Sequence, residues 1–134
     1  MRVLARLFFW GYTLMLLGVG VTGMLIATWE LPTVFAVALD AMGDVERATL
    51  LNQYRFLKAL EFAFGLFCVA YRHEIFTPGK DHRVFLGGLS AGAAARLGSC
   101  FADGTPRTAF IVFMALELVT GLLVWLAVQR KRLA

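Results

Sequence analysis

The chain has 134 residues, of which 60% are hydrophobic and only 16% are charged. A soluble domain carries about 25% charged residues and needs a polar surface, so this composition excludes an ordinary soluble fold. The net charge of +4 does not indicate nucleic-acid binding, because the basic residues lie mostly at the ends of apolar runs and act as membrane topology signals. We therefore expect a single all-α membrane domain over residues 1–134, with room for about four spanning helices of roughly 20 residues each.

The first apolar run, residues 7–29, contains no charged residue. It is longer than the roughly 7 to 15 residues of a signal-peptide core and no A-x-A cleavage site follows it, so we predict a retained transmembrane helix. Gly11 and Gly18 predict a close helix contact. Pro32 then stops or restarts the chain, and the apolar segment 33–42 is too short to cross. We expect that segment to lie at the membrane interface.

The second helix is predicted over residues 45–71. Three charged side chains, Arg55, Lys58 and Glu61, stand inside it. At 100° per residue they share one face with Tyr54, opposite a face rich in phenylalanine. This pattern predicts a polar face toward the bundle and an apolar face toward lipid.

A polar segment, residues 72–83, separates the second and third helices. The Thr-Pro-Gly sequence at 77–79 is a turn signal and predicts a loop in water. His73 and His82 lie in or beside this loop, but their spacing matches no recognised metal site. We predict no metal ion there.

The third helix is predicted over residues 84–102 and consists largely of small residues. Small residues recur at four-residue spacing, which lets helices approach closely in lipid: Gly88 and Gly92, Ala91 and Ala95, and Ala94 and Gly98. We expect this helix to lie at the centre of the bundle. An outer turn of Asp103, Gly104 and Pro106 leads to the fourth helix, residues 108–128.

The basic residues predict the orientation of these four spans, which place both termini on one side. Eight basic residues lie on the side of the termini: Arg2, Arg6, Arg72, Lys80, Arg83, Arg130, Lys131 and Arg132. Arg47 and Arg107 lie on the other side. Because Lys and Arg are retained in the cytoplasm, we predict cytoplasmic termini and a cytoplasmic loop at 72–83.

The remaining ionisable residues inside the predicted spans form the candidate site, a charge cluster of Arg55, Lys58, Glu61, Arg96 and Glu117. A lone charge near the bilayer centre costs at least about 2.5 kcal/mol, so these side chains should face one another or water. We expect Glu61, Arg96 and Glu117 to join in one network. Two interpretations stay open: ion-paired struts that fix helix packing, or a chamber that binds a polar head group, an anion or a quinone ring.

The two cysteines are predicted to stay free. Cys68 and Cys100 fall in opposite leaflets, roughly 20 Å apart by helical rise, which is too far for a disulfide. The sequence contains no C-x-x-C motif, so thiol-disulfide chemistry is not indicated. We predict no resident cofactor, with a quinone or a lipid as the candidate ligands.

Several short motifs follow one another in a recognisable order: Asn52 and Arg55, Arg96, Asp103 with Gly104 and Pro106, and Glu117 with Leu118. On these motifs the chain resembles, over roughly residues 11–128, a family of small four-helix bacterial membrane proteins known only as a domain of unknown function. That family is similar to the DoxX-like group. The resemblance implies a four-helix bundle in the bacterial cytoplasmic membrane with no established reaction, although some DoxX-like proteins are subunits of quinone-linked oxidoreductases.

Three functional classes follow, and a non-enzymatic accessory or assembly subunit is the first of them. Its partners would be the lipid bilayer and a larger membrane complex or a second copy, joined through the small residues of the third helix. A membrane enzyme or redox subunit linked to quinone or glutathione is the second, but glutathione-handling enzymes place Asn three residues before Glu, whereas Asn52 precedes Glu61 by nine. Small multidrug exporters are the third, and they use a Glu in a first helix that is uncharged here.

Overall fold

The computed structural model describes residues 1–132, with side chains through residue 130. Five helices form in this range: α1 (Arg2–Leu25), α2 (Ala27–Phe35), α3 (Asp44–Ala70), α4 (Lys80–Ala102) and α5 (Thr108–Arg132). The described residues contain no strand, which confirms the all-α prediction. Residues 133 and 134 of the predicted domain, and the side chains of Lys131 and Arg132 used in the topology prediction, lie outside the described part.

Three helices are long and apolar enough to cross a membrane, namely α1, α4 and α5 through Arg130. This finding is consistent with a multi-pass membrane protein. The helix α3 is not among the three, because Arg55, Lys58 and Glu61 interrupt its apolar stretch.

The first predicted helix ends four residues earlier than expected, because the chain bends at Ile26. A separate helix, α2, follows at once and contains Pro32, which was expected to stop or restart the chain. Proline removes a backbone donor and weakens a helix interior, and α2 ends at Phe35, only three residues later. Ala36 adopts the left-handed conformation with a φ of 56°, which costs a residue with a Cβ about 1 to 2 kcal/mol. The amide N–H groups of Ala36 and Val37 both donate to the carbonyl oxygen of Leu31.

The described part of the chain divides into two compact units, and the division falls within α1 and within α3. The middle unit holds Leu14–Phe67, and the terminal unit holds Met1–Thr13 with the described residues from Cys68 onward. In the middle unit, α2 and the following 3₁₀ turn (Leu39–Ala41) pack against the start of α3 through the buried side chains of Ala27, Leu31, Leu39 and Leu51. The segment expected to lie at the membrane interface is therefore packed into a core of its own.

A close approach between α1 and α3 depends on Gly20 in the middle unit. A Cβ added to Gly20 would lie 2.8 Å from the Cβ and from the backbone nitrogen of Phe62, which is closer than packed atoms allow. The two glycines singled out in the sequence, Gly11 and Gly18, have nothing within 4 Å of such a Cβ. The predicted close contact at these two positions is therefore wrong, because it is Gly20 that faces the neighbouring helix.

The core of the terminal unit is built around Phe9. Its ring meets Phe76 and Phe85 edge-on, at centroid distances of 5.4 and 5.6 Å. Ile75 is fully buried beside them, and its carbonyl oxygen lies 2.8 Å from Nδ1 of the buried His82. The segment 72–83 was expected to lie in water, but these contacts make part of it core.

The helix α4 buries one face, formed by His82, Phe85, Leu89 and Ala93. Most of its small residues are exposed instead: Gly87, Gly88, Ala91, Ala94, Ala95 and Gly98. The expectation that small residues place this helix at the centre of the bundle is therefore not met. Small side chains show where another helix can approach closely, but they do not show whether that helix belongs to the same chain.

Candidate functional site

A buried lysine forms the centre of the candidate site in the middle unit. Lys58 is only 4% exposed, and its ammonium group donates to Oε2 of Glu61 at 2.8 Å. The same ammonium lies 5.2 Å from the centre of the Tyr54 ring and 5.9 Å from that of Phe35. A partner carboxylate and two aromatic rings thus replace the water that Lys58 loses on burial.

The side chain of Lys58 crosses α1 at Gly23. A Cβ added to Gly23 would overlap the aliphatic carbons of Lys58. The glycine therefore leaves the space in which the lysine stem lies, and only a residue without a side chain permits this arrangement.

Two further polar groups complete this cluster. Glu30 of α2 is 7% exposed, and its carboxylate lies close to the Tyr54 hydroxyl. Oε2 of Glu30 and the Tyr54 hydroxyl are both buried, and neither atom has a hydrogen-bond partner among the described residues. Leaving such a group unsatisfied costs about 1 to 3 kcal/mol. We name Glu30, Tyr54, Lys58 and Glu61 the polar cluster.

The chemistry of the polar cluster favours a neutral ligand. Tyr54 and Lys58 offer hydrogen-bond donors, while Glu30 offers a free acceptor. The cluster contains two carboxylates and one ammonium group, so it carries one more negative than positive side chain. That balance disfavours the anion that the sequence left open as a ligand.

Two features of the polar cluster differ from the sequence prediction. Glu30 was missed, because it follows the predicted end of the first span at Trp29 and was assigned to a connection. Ala27, Glu30 and Leu31 are the buried residues of α2, and their spacing places them on one helix face. That pattern is visible in the sequence only when residues 27–35 are treated as a separate helix. Arg55 was included, but it is exposed and forms no ion pair within the part of the chain that the structure describes.

The other predicted charges meet in the terminal unit. Arg96 of α4 contacts Glu117 of α5 through two nitrogen atoms, with Nε 3.4 Å from Oε2 and Nη2 3.5 Å from Oε1. The Arg96 guanidinium also lies 5.8 Å from the centre of the Phe110 ring. The Glu117 carboxylate lies against α4 at Gly92, where a Cβ added to the glycine would be 3.6 Å away, an ordinary packing distance. The predicted pairing of Arg96 with Glu117 is therefore present.

The structure thus forms two ion pairs from the predicted charges, Lys58 with Glu61 and Arg96 with Glu117. Each pair lies within its own unit. The joining of Glu61 to Arg96 and Glu117 in one network stays a prediction.

A groove of about 290 Å³ runs beside Glu117 in the terminal unit. Its walls are mainly apolar and come from α4 and α5: Leu86, Leu89, Ser90, Glu117, Leu118, Gly121, Leu122 and Trp125. Such a surface suits an acyl or isoprenoid chain better than a polar solute.

The outer turn has the geometry that its sequence indicates. The helix α4 ends at Ala102, the hydroxyl of Ser99 donates to Oδ2 of Asp103 at 2.9 Å, and Gly104 has a φ of +96°. These features close the turn itself, so Asp103 and Gly104 have a structural role here. Cys68 and Cys100 are both free thiols, and Cys68 is fully buried.

One comparison with known proteins identifies a relationship. A family model described as a domain of unknown function (DUF4345) matches residues 4–128. No curated protein and no solved structure matches the chain. The match covers nearly the whole chain and includes both ion pairs and the polar cluster.

Proposed function

The chain belongs to this family of unknown function, and we propose that it is a small four-span membrane protein whose polar cluster binds the ring of a quinone. The observation that carries the proposal is the pair of buried, unsatisfied atoms on Glu30 and Tyr54. Buried polar atoms without partners are rare in folded proteins and call for an explanation. A bound ring with polar oxygens supplies one.

A quinone fits the donors and the acceptor of the polar cluster. Its carbonyl oxygens accept from the Tyr54 hydroxyl and the Lys58 ammonium, and the hydroxyl of its reduced form donates to Glu30. The aromatic rings of Phe35 and Tyr54 beside Lys58 suit a flat ligand. The resemblance to a family similar to the DoxX-like group, some of whose members are subunits of quinone-linked oxidoreductases, also favours a quinone.

The proposal includes α3 as the fourth span of a bundle with both termini in the cytoplasm of a bacterial cell. The 27 residues of α3 extend about 40 Å, more than the roughly 30 Å hydrocarbon core of a membrane. Its central charges, Lys58 and Glu61, neutralise each other, and this lowers the cost of placing them in lipid.

We further propose that the protein is an accessory or assembly subunit and not a complete enzyme. The exposed small residues of α4 support this role, because they allow another helix to approach the backbone closely in lipid. That helix belongs either to a larger membrane complex or to a second copy of the chain.

The test is the binding of decylubiquinone to the full chain purified in a mild maltoside detergent. We expect saturable binding, followed by equilibrium titration, and co-purification of a native quinone detected by mass spectrometry. Tyr54→Phe should weaken the binding of decylubiquinone about three- to tenfold, the usual effect of losing one hydrogen bond. Glu30→Gln should weaken the binding of the reduced form, decylubiquinol, by a similar factor, because the hydroxyl of that form donates to the Glu30 carboxylate. Arg55→Gln is the matched control on the same helix and should bind as the unmodified chain does.

Two results would contradict quinone binding. The first is the absence of decylubiquinone binding together with the absence of any co-purifying quinone. The second is unchanged affinity in both Tyr54→Phe and Glu30→Gln. Co-purification of a lipid that is lost in these two variants and kept in Arg55→Gln would replace the quinone with a lipid head group.

A further inference from the structure

Besides the apolar groove beside Glu117, the terminal unit contains a pocket lined by basic side chains. It has a volume of about 410 Å³, within the range of small-molecule sites. Its polar lining is basic and comes from the start of α1 and the segment after α3: Arg2, Arg6, Arg72 and His73, with Thr77. Among the residues that the structure describes, no carboxylate lines this pocket.

The three arginines of this basic pocket keep their positive charge without a carboxylate partner among the described residues. Arg2, Arg6 and Arg72 form no ion pair with any carboxylate in the described part of the chain. Arg72 donates one hydrogen bond, from Nη1 to the carbonyl oxygen of Val69 at 3.0 Å, and this contact holds the side chain in place. Glu74 and Asp81 line a neighbouring groove, and neither forms an ion pair with these arginines.

The remaining walls of the basic pocket are apolar and aromatic. Phe9, Trp10 and Phe76 line it, and Phe9 and Phe76 are fixed by their edge-on contact. The outer surface of α1 continues beside the pocket with exposed Val3, Leu4 and Leu7. A polar, positively charged pocket thus adjoins a surface suited to hydrocarbon, with Trp10 at the boundary where tryptophan prefers to lie in membranes.

We propose that this pocket binds the phosphate group of an anionic membrane lipid, with the acyl chains along α1. Guanidinium groups form paired hydrogen bonds to phosphate oxygens and are the preferred side chains for such recognition. A lipid fits better than a free phosphate ion, because the pocket combines cationic and aromatic walls at the end of a helix apolar enough to span. The proposal requires α1 to lie in the membrane but does not depend on the polar cluster.

The experiment uses native mass spectrometry of the full chain in neutral maltoside detergent, with equal amounts of dioleoyl phosphatidylglycerol and dioleoyl phosphatidylcholine. The two lipids have the same chains and differ in net charge. We expect phosphatidylglycerol to bind at least about fivefold better, the effect of roughly one favourable charge contact. The double variant Arg6→Gln/Arg72→Gln should lose this preference and weaken phosphatidylglycerol binding tenfold or more.

A matched control removes the same number of positive charges from the same predicted cytoplasmic side. Lys80 and Arg83 belong to the same group of predicted cytoplasmic basic residues but do not line the pocket. Lys80→Gln/Arg83→Gln should keep phosphatidylglycerol binding within about twofold. Arg6→Lys/Arg72→Lys keeps the charge and removes the paired hydrogen bonds, so it should give an intermediate loss.

Three results would overturn the lipid site. The first is equal binding of the two lipids by the unmodified chain. The second is an equal loss in the Lys80→Gln/Arg83→Gln control, which would assign binding to the general charge of this part of the chain. The third is displacement of the lipid by an equal concentration of inorganic phosphate, which would assign the pocket to a soluble anion. Because Arg6 and Arg72 are exposed, their variants should fold, and a helical circular dichroism spectrum checks this.

Discussion

Lys58 and Arg96 occupy helices of similar apolar character but are accommodated differently. Lys58 is almost completely buried and has its carboxylate partner, Glu61, one turn away on the same helix. Arg96 is more exposed and takes its partner from another helix, Glu117 of α5. The first pair can be predicted from spacing along one helix, whereas the second depends on how α4 and α5 pack.

The Arg96 contact should have a measurable effect on stability. Replacing Arg96 with Leu removes the guanidinium from the buried carboxylate of Glu117. Breaking one side of a buried pair typically costs 3 to 5 kcal/mol, and the partial exposure of Arg96 places the expected loss near about 3 kcal/mol. Thermal or denaturant unfolding of the full chain in detergent would measure it.

A second variant separates the loss of the pair from the loss of packing. Arg96→Leu/Glu117→Met replaces both charges with apolar side chains and should recover most of the stability, because no buried charge is left uncompensated. Stability equal to that of the unmodified chain in Arg96→Leu, or no recovery in the double variant, would show that the pair does not hold α4 against α5.

At the level of helices, the apolar runs predict which segments form helices better than they predict where each helix begins and ends. The fourth run begins at Thr108 as expected, and α4 begins at Lys80, four residues before the predicted start. Charged residues at the end of a helix are compatible with helix formation. A prediction based on hydropathy nevertheless assigns them to a loop, because they are polar. The break at Ile26 has no comparable sequence signal, because the residues on both sides are apolar.

The contact between α1 and α3 gives a prediction about glycine. Gly20→Ala should destabilise the chain by about 1 to 3 kcal/mol, because the added methyl group collides with the backbone of Phe62 and overpacking has this cost. Gly18→Ala is the matched control on the same helix, since nothing lies within 4 Å of its Cβ. It should leave stability unchanged or raise it slightly.

Unfolding of both glycine variants in the same detergent would test the contact. Equal stability of Gly20→Ala and Gly18→Ala would contradict the close approach of α1 and α3 at this point.

At the level of the whole molecule, the orientation in the membrane rests on the distribution of basic residues. The basic pocket adds a structural observation, because Arg2 and Arg6 near the amino terminus lie with Arg72 from the predicted cytoplasmic segment. Two parts of the chain that the charge count assigns to one side of the membrane are thus near each other. This agreement supports the assignment of both to the same side.

Reporter fusions test the orientation directly. Fusions after Pro78 and after Ala134 should both give cytoplasmic signals, because an even number of spans returns the chain to the side on which it began. A periplasmic signal at either position would contradict the four-span topology. Periplasmic signals at both positions would be expected if only α1, α4 and α5 crossed the membrane and the amino terminus stayed in the cytoplasm.

Composition and hydropathy by themselves predicted an all-α protein with four spanning helices, of which three are long and apolar enough to cross a membrane in the structure, and showed which ionisable residues need partners. These properties follow from local patterns, since apolar length and charge are readable along the chain. The pairing of Arg96 with Glu117, the burial of Glu30 and the gathering of Arg2, Arg6 and Arg72 around one pocket were decided by the tertiary structure. Each joins residues that are distant in sequence, and only the packing of helices brings such residues together.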